Sequence, residues 1–160
     1  MHQTFGSLYC ISLWILFNFG PKSFNDNVKE FLFAIKSTKN TPDVFLDLNE
    51  NRLSIKGVSY PEDADKFYDP ICVSIRSFLN QISTGFSLKI TVDYDYFNTS
   101  TARMFYKLFA IIDAKAKDDR YNFDVEWMYE SDDFDMIDSG KDFDYMFKNL
   151  SFNFCEKQLI

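Results

Sequence analysis

Hydrophobic and polar residues alternate with a period of two along several short stretches of the chain. The clearest are SLKITVDYDYF (87–97) and NFDVEWMYE (122–130), and weaker alternation covers residues 33–37, 44–48 and 52–60. The apolar positions predicted to share one face of the first stretch are Leu88, Ile90, Val92, Tyr94 and Tyr96. This period is typical of strands with one face on a core and the other in solvent. A sheet covered on both faces would show continuous apolar runs, so we predict helices on one face only.

Two segments between these strands have the period of an amphipathic helix. The segment DPICVSIRSFLNQIS (69–83) predicts a helix with Asp69 as its N-cap and Pro70 at the first helical position. The segment STARMFYKLFAIIDAKAK (100–117) predicts the second helix. Its apolar stripe consists of Met104, Leu108, Ile111 and Ile112.

A shorter helical stretch follows the last clear strand, over residues 134–147, with Gly140 as a predicted break. The order of elements is therefore β-β-β-α-β-α-β-α, which predicts an α/β fold: a two-layer sandwich of one mixed sheet with helices on one face. Strands joined through helices run parallel, so their carboxyl ends lie at one edge. We expect the loops 59–63, 98–101 and 130–133 to meet there, at the edge where open α/β sheets place their ligands and partners.

Composition excludes several classes of function. The 160 residues suffice for one domain, and the net charge of −7 argues against nucleic-acid binding, because no basic stripe is present. The single histidine, His2, lies at the N-terminus, and the five glycines are scattered, so we expect neither histidine-based catalysis nor a phosphate-binding loop. Cys10, Cys72 and Cys155 are few and far apart, which fits reduced thiols in the cytoplasm. We therefore predict no catalytic residue, no metal and no cofactor.

The first 32 residues do not share the pattern of the rest. The run Leu8–Phe19 is mostly apolar but only 12 residues long, too short for a regular membrane-spanning helix, and it lacks the flanks of a signal peptide. We interpret residues 1–32 as an N-terminal extension, either disordered or the product of a start codon assigned too early. The domain then covers residues 33–160. A weak membrane anchor is the alternative interpretation.

Carboxylates are dense between Asp124 and Asp144, where nine of them accompany one lysine. A calcium-binding loop counted from Asp133 fails, because Ile137 takes the fifth position and Asp138 the position that requires glycine. The tract is then either a solvated acidic face or a docking surface for a basic partner. A small acidic enzyme that uses a divalent metal near Asp132 is the alternative of a different class.

The stretch YFNTST, residues 96–101, places three hydroxyls where the second helix begins. One interpretation is helix capping, with Asn98, Thr99 or Ser100 accepting a bond from a free backbone N–H. The other adds phosphorylation of Thr99 or Ser100. A phosphate at the positive end of a helix dipole is compatible with the fold, yet its charge would alter any partner docked on that edge.

Four motifs in order, TPDVFLDL, GVSYPED, YFNTST and VEWMYESDDFDMIDSGKDF, resemble the SiaC-like family of bacterial regulatory phosphoproteins. The similarity runs from about Thr41 to Phe143 and leaves the N-terminal run outside. It implies a fold similar to STAS-like (anti-sigma-factor-antagonist) domains. It also implies a cytoplasmic, non-enzymatic switch that a dedicated Ser/Thr kinase phosphorylates and a metal-dependent phosphatase dephosphorylates.

The resemblance further implies the site and the effector. The family's phosphoacceptor corresponds to Thr99, with Asn98 and Ser100 as its neighbours, and Thr101 replaces a serine common in related sequences. In the family, the unmodified protein binds and activates a diguanylate cyclase, which raises cyclic di-GMP and favours biofilm. An antagonist in an anti-sigma partner-switching pathway is the alternative function. The residues predicted to frame the partner surface are Tyr60, Pro61, Glu62, Asp132 and Asp133.

Overall fold

The computed structural model describes residues 33–158. The elements in chain order are β1 (Phe33–Ile35), β2 (Asp43–Asp47), β3 (Arg52–Ser59), α1 (Ala64–Gln81), β4 (Ser87–Phe97), α2 (Thr99–Ala116), β5 (Asn122–Tyr129), α3 (Phe134–Met146) and β6 (Ser151–Glu156). The extension predicted for residues 1–32, with its Leu8–Phe19 run, lies outside the described residues. Its interpretation stays a prediction.

The six strands form one mixed sheet in the order β1-β2-β3-β4-β5-β6. The first three strands are antiparallel, and β3 to β6 are parallel to one another. Along β4 and β5 the apolar positions are buried, while the residues between them, such as Lys89 and Glu126, remain accessible on the opposite face. The predicted α/β architecture and all five predicted strands are confirmed, with strand ends that differ by at most two residues.

The sixth strand was not predicted. β6 is only six residues long, and its core-facing Phe152 and Phe154 are half-buried rather than buried. Their alternation with Ser151 and Asn153 was present in the sequence, but it is too short to stand out beside the longer strands. β6 pairs in parallel with β5 and forms the edge of the sheet.

The predicted start of the first helix was wrong. α1 begins at Ala64, and Asp63 caps it by accepting a hydrogen bond from the Lys66 amide at 2.9 Å. Asp69 and Pro70 therefore lie within the helix rather than at its N-terminus. Proline is frequent in the first turn of a helix because it lacks an N–H. Here the helix begins earlier, at the cap Asp63, so that six helical residues (64 to 69) precede Pro70.

Tyr96 does not lie on the core face of β4, contrary to the prediction. The register between β3 and β4 shifts after Gly57, which pairs with Tyr94, so that Val58 pairs with Tyr96 and Asp95 is left as the extra residue of a bulge. A bulge reverses the faces of the residues that follow it. Tyr96 is consequently 55% exposed, while Phe97 packs against Tyr94, with 5.4 Å between ring centroids.

The prediction that Gly140 breaks the third helix is wrong. Gly140 lies buried inside α3. A Cβ at this position would come within 2.7 Å of both Trp127 and Phe154. Trp127 is fully buried and donates a hydrogen bond from Nε1 to the Met136 carbonyl at 2.9 Å. The missing side chain therefore allows α3 to lie directly on β5 and β6.

We expect Gly140→Ala to destabilise the protein by about 1–2 kcal/mol. Three ring atoms at 2.7 Å place the cost of overpacking in the upper part of its usual range, roughly 2–3 kcal/mol, which outweighs the gain of about 1 kcal/mol in helix propensity. Urea unfolding followed by circular dichroism measures the change. Ser139→Ala, one residue earlier in the same helix, is the matched control and should stay within about 0.5 kcal/mol of the wild type. A Gly140→Ala protein as stable as the wild type would contradict this account of the packing.

Candidate functional site

The candidate site lies at the edge of the sheet where β3, β4 and β5 end. Because these strands are parallel, the loops that follow them meet at one edge, as the sequence predicted. Two further segments that were not predicted also lie there. The connection between β1 and β2 reaches it through a bond from the Tyr60 amide to the Asn40 carbonyl at 2.9 Å. The segment after β6 reaches it through a bond from the Lys157 amide to the Tyr129 carbonyl at 2.8 Å.

Of the three predicted capping residues, Asn98, Thr99 and Ser100, the structure shows that Asn98 is the N-cap of α2. Its Oδ1 accepts a hydrogen bond from the Thr101 amide at 2.9 Å, and its carbonyl accepts one from the Ala102 amide at 3.0 Å. Thr99 and Ser100 are then the first two residues of the helix, and both are exposed. Their hydroxyls are not needed for capping and remain accessible to another protein.

Ser59, the last residue of β3, holds the start of α2 in place. Its carbonyl accepts hydrogen bonds from the Asn98 amide and from the Thr101 hydroxyl, each at 3.1 Å. The side chains of Ser59 and Thr101 also share a hydrogen bond of 2.9 Å, and both residues are fully buried. Thr101 is therefore a structural hydroxyl. The residues on either side of Thr99 and Ser100 are fixed to the sheet, while these two face solvent.

Two buried tyrosines extend this hydroxyl network into the core. The Tyr68 hydroxyl lies 2.7 Å from the Ser59 hydroxyl and 2.7 Å from the Tyr94 hydroxyl. Burial raises the pKa of Tyr68 to about 12 and that of Tyr94 well above its ordinary value, so both stay neutral near pH 7. The network joins β3, β4, α1 and α2 directly beneath the exposed hydroxyls. The sequence did not reveal the network, because its four members lie on four different elements of the chain.

An ion pair links the first turn of α1 to the second turn of α2 beside the same edge. Arg103 donates from Nη1 and Nη2 to the two carboxylate oxygens of Asp65, at 3.1 and 2.5 Å. These hydrogen bonds hold the pKa of Asp65 below its ordinary value. Arg103 follows Thr99 by four residues, so both side chains lie on the same face of α2. An exposed arginine thus stands one turn from the candidate phosphoacceptor.

Tyr60, one of the residues predicted to frame the partner surface, belongs to an exposed aromatic pair. Tyr60, 38% exposed, meets Tyr96 edge-on with 6.1 Å between ring centroids, and its hydroxyl donates to the Lys39 carbonyl at 3.0 Å. Glu62 is exposed beside them, whereas Pro61 is buried and contributes only the shape of the loop. The alternation pattern predicts Tyr96 on the core face, and it is the bulge in β4 that places Tyr96 at this surface.

The acidic loop after β5, residues 130–133, contributes two exposed carboxylates, one of them Glu130, and one helix cap. Asp132 is exposed, while Asp133 is the N-cap of α3 and accepts a hydrogen bond from the Met136 amide at 2.9 Å. Within residues 33–158, no group of three or more histidine, cysteine or acidic side chains could hold a metal ion. No helix in that range is long and apolar enough to cross a membrane.

Comparison with solved structures shows the same fold in proteins from Pseudomonas aeruginosa. A chain in the crystal structure of the diguanylate cyclase SiaD in complex with its activator SiaC superposes with a TM-score of 0.71 at 20% identity, covering 78% of this chain and 99% of that one. Apo-SiaC superposes with a TM-score of 0.65 at 22% identity, covering 81% and 99%. These identities establish a shared fold.

The family itself is identified from the sequence. No curated protein matches the chain at a significant level. The family model described as SiaC family regulatory phosphoprotein, however, matches residues 35–157, which is most of the chain and nearly all of the part that the structure describes. This protein therefore belongs to the SiaC family of regulatory phosphoproteins.

Proposed function

We propose that this protein is a non-enzymatic cytoplasmic switch whose unmodified form binds and controls a diguanylate cyclase, and that Thr99 accepts the regulatory phosphate. The observation that carries the proposal is the arrangement at the start of α2. Asn98 and Thr101 are fixed to Ser59, while Thr99 between them is exposed and free of any capping role. A Ser/Thr kinase would add the phosphate and a metal-dependent phosphatase would remove it.

The fold can accept a phosphate on Thr99 at little cost. The group would lie in solvent at the positive end of the α2 dipole, where an anion is stabilised by about 0.3–1 kcal/mol. It would also lie one turn from Arg103, whose guanidinium can bind a phosphate through two hydrogen bonds. Arg103 now uses those donors on Asp65. Phosphorylation would therefore set up a competition between the phosphate and Asp65 for one arginine.

Phosphorylation of Thr99 would strongly change the charge that a partner docked on this edge meets. The Tyr60–Tyr96 pair offers an apolar contact, and aromatic side chains are frequent in the buried centres of interfaces. A phosphate placed beside it brings a charge of about −1.5 to −2, next to the carboxylates of Glu62 and the released Asp65. A partner that covered the phosphate would have to remove the water around it, which costs free energy. The unmodified protein is thus expected to bind and the phosphorylated protein to dissociate.

The choice of effector rests on the structural likeness to SiaC, which is an activator of a diguanylate cyclase in the complex described above. The alternative is an antagonist in an anti-sigma pathway. No feature of residues 33–158 favours it over the cyclase.

The first expected result concerns the acceptor. Intact-mass and phosphopeptide analysis of the protein purified from its native cells should find one phosphate on the peptide that contains Thr99, and none after Thr99→Ala. Ser100→Ala is the matched control, because Ser100 is the adjacent exposed hydroxyl of the same turn. It should retain the phosphate. A phosphate that persists in Thr99→Ala, or that disappears in Ser100→Ala, would contradict the assignment.

The second expected result concerns the effector. Thr99→Ala protein purified from native cells should retain a diguanylate cyclase and raise its production of cyclic di-GMP, whereas Thr99→Glu should retain at least ten-fold less. Ser100→Glu tests whether any new charge at this helix start has the same effect, and we expect a smaller loss. Retention of a sigma-factor regulator instead of a cyclase would favour the alternative function.

The third expected result concerns Arg103. In protein phosphorylated on Thr99, the arginine stabilises the dianionic phosphate and so lowers its second pKa. An i,i+4 pair contributes about 0.2–0.5 kcal/mol, and one pKa unit equals about 1.4 kcal/mol. Titration by ³¹P NMR should therefore give a second pKa for Arg103→Gln that is higher by about 0.15–0.4 than that of the wild type. Lys107→Gln, one turn further along α2 and paired with Asp69 at 2.6 Å, is the control and should leave the value unchanged. Equal values for all three proteins would show that Arg103 does not contact the phosphate.

A further inference from the structure

A groove runs between the outer faces of α1 and α2, away from the edge that carries Thr99. Its volume is about 540 Å³, and its lining is more apolar than polar. Leu79, Ala110 and Ile111 form its apolar part and pack against the core beneath. Ile111 belongs to the apolar stripe of α2, yet it is only half-buried because no element of residues 33–158 covers it.

The charges around this groove are opposite to those of the protein as a whole. The lining includes Arg76, Lys107 and Lys115 and no carboxylate, in a chain whose net charge is −7. Lys107 pairs with Asp69 on α1, and Lys115 lies over the Tyr121 ring at 4.2 Å. Arg76 has neither a hydrogen bond nor an ion pair within the described residues 33–158. At least one cation at the groove is therefore available to a ligand.

Two large exposed side chains flank the same groove. Tyr106 on α2 is 52% exposed, and Val73 on α1 is 64% exposed, one helical turn before Arg76. Tyrosine and arginine are enriched among the residues that dominate binding energy at protein interfaces. An apolar centre with tyrosine and arginine neighbours matches the composition of protein-binding surfaces.

We infer that this groove binds an amphipathic helix of a partner protein, one that carries carboxylates on both sides of a short apolar stripe. The geometry favours a helix, because α1 and α2 run side by side. Two ion pairs of equal sequence offset, Asp65–Arg103 and Asp69–Lys107, connect them. Two such helices leave a groove along which a third helix can pack at 8–10 Å. The charge favours an acidic helix, since three cations and no carboxylate line the groove, and Asp69 outside the lining pairs with only one of them, Lys107.

This surface is separate from the phosphorylated edge. Tyr106 and Lys115 follow Thr99 by seven and sixteen residues, or about 10 and 24 Å along the axis of α2. Exposed charges separated by more than about 8 Å are largely screened at physiological ionic strength. We therefore expect binding in the groove to be independent of phosphorylation of Thr99.

The test uses the full-length protein and two synthetic helical peptides of equal length. Both carry leucine and alanine on one face, and the flanking positions are glutamate in one peptide and lysine in the other. Fluorescence anisotropy should show that the acidic peptide binds at least ten-fold more tightly than the basic one. Arg76→Glu should weaken the acidic peptide roughly five- to ten-fold, since it replaces an attraction by a repulsion. Ala114→Trp, at an exposed position of the lining, should weaken it through steric filling.

Lys141→Glu makes the same charge change on α3, outside the groove, and should leave the affinity unaltered, as should Thr99→Glu. Circular dichroism confirms that each variant is folded. The inference is overturned if the acidic peptide does not bind, if both peptides bind equally, or if Arg76→Glu and Lys141→Glu have the same effect. Sedimentation that shows a dimer disrupted by Ala114→Trp would assign the groove to a second copy of the chain and also overturn it.

Discussion

The carbonyl and hydroxyl of Ser59 determine where the second helix begins and which of its hydroxyls are exposed. Both groups are buried at the end of β3, where a polar group without a partner would cost about 1–3 kcal/mol. Asn98, Thr101 and Tyr68 satisfy them. The same bonds that complete the core therefore fix the ends of a four-residue segment and leave its centre in solvent. The stability of the fold and the exposure of Thr99, the candidate phosphoacceptor, therefore have one physical origin.

The fold was largely predictable because only one face of the sheet is covered. That arrangement imposes strict alternation on β4 and β5, and alternation is readable in a single sequence. The predictions for Tyr96 and Gly140 were wrong because their positions depend on contacts between distant segments. The bulge that exposes Tyr96 arises from pairing with β3, and Gly140 is buried because Trp127 and Phe154 approach it. The predicted start of α1 was wrong for a local reason: Asp63 and Asp69 are equally good caps on sequence alone.

The candidate site was predictable as a run of hydroxyls and only partly as a structure. The pattern Asn98-Thr99-Ser100-Thr101 signals a helix start, but local sequence cannot say which side chain caps, which is buried and which is free. Burial of Thr101 and capping by Asn98 answer this. The pairing of Arg103 with Asp65 joins residues 38 positions apart, so no local pattern could have indicated it.

The parallel connections of the sheet also bear on when the site forms during folding. β1, β2 and β3 are joined by short connections, whereas the whole of α1 lies between β3 and β4 in the chain. Ser59 and Thr101 are separated by 42 residues, and contacts of such long range form late, because the loop between them must first be closed. A kinase that recognises the native helix start would therefore act on the completed domain. We expect newly synthesised or partly unfolded chains to be poor substrates, which would restrict the signal to molecules able to bind a partner.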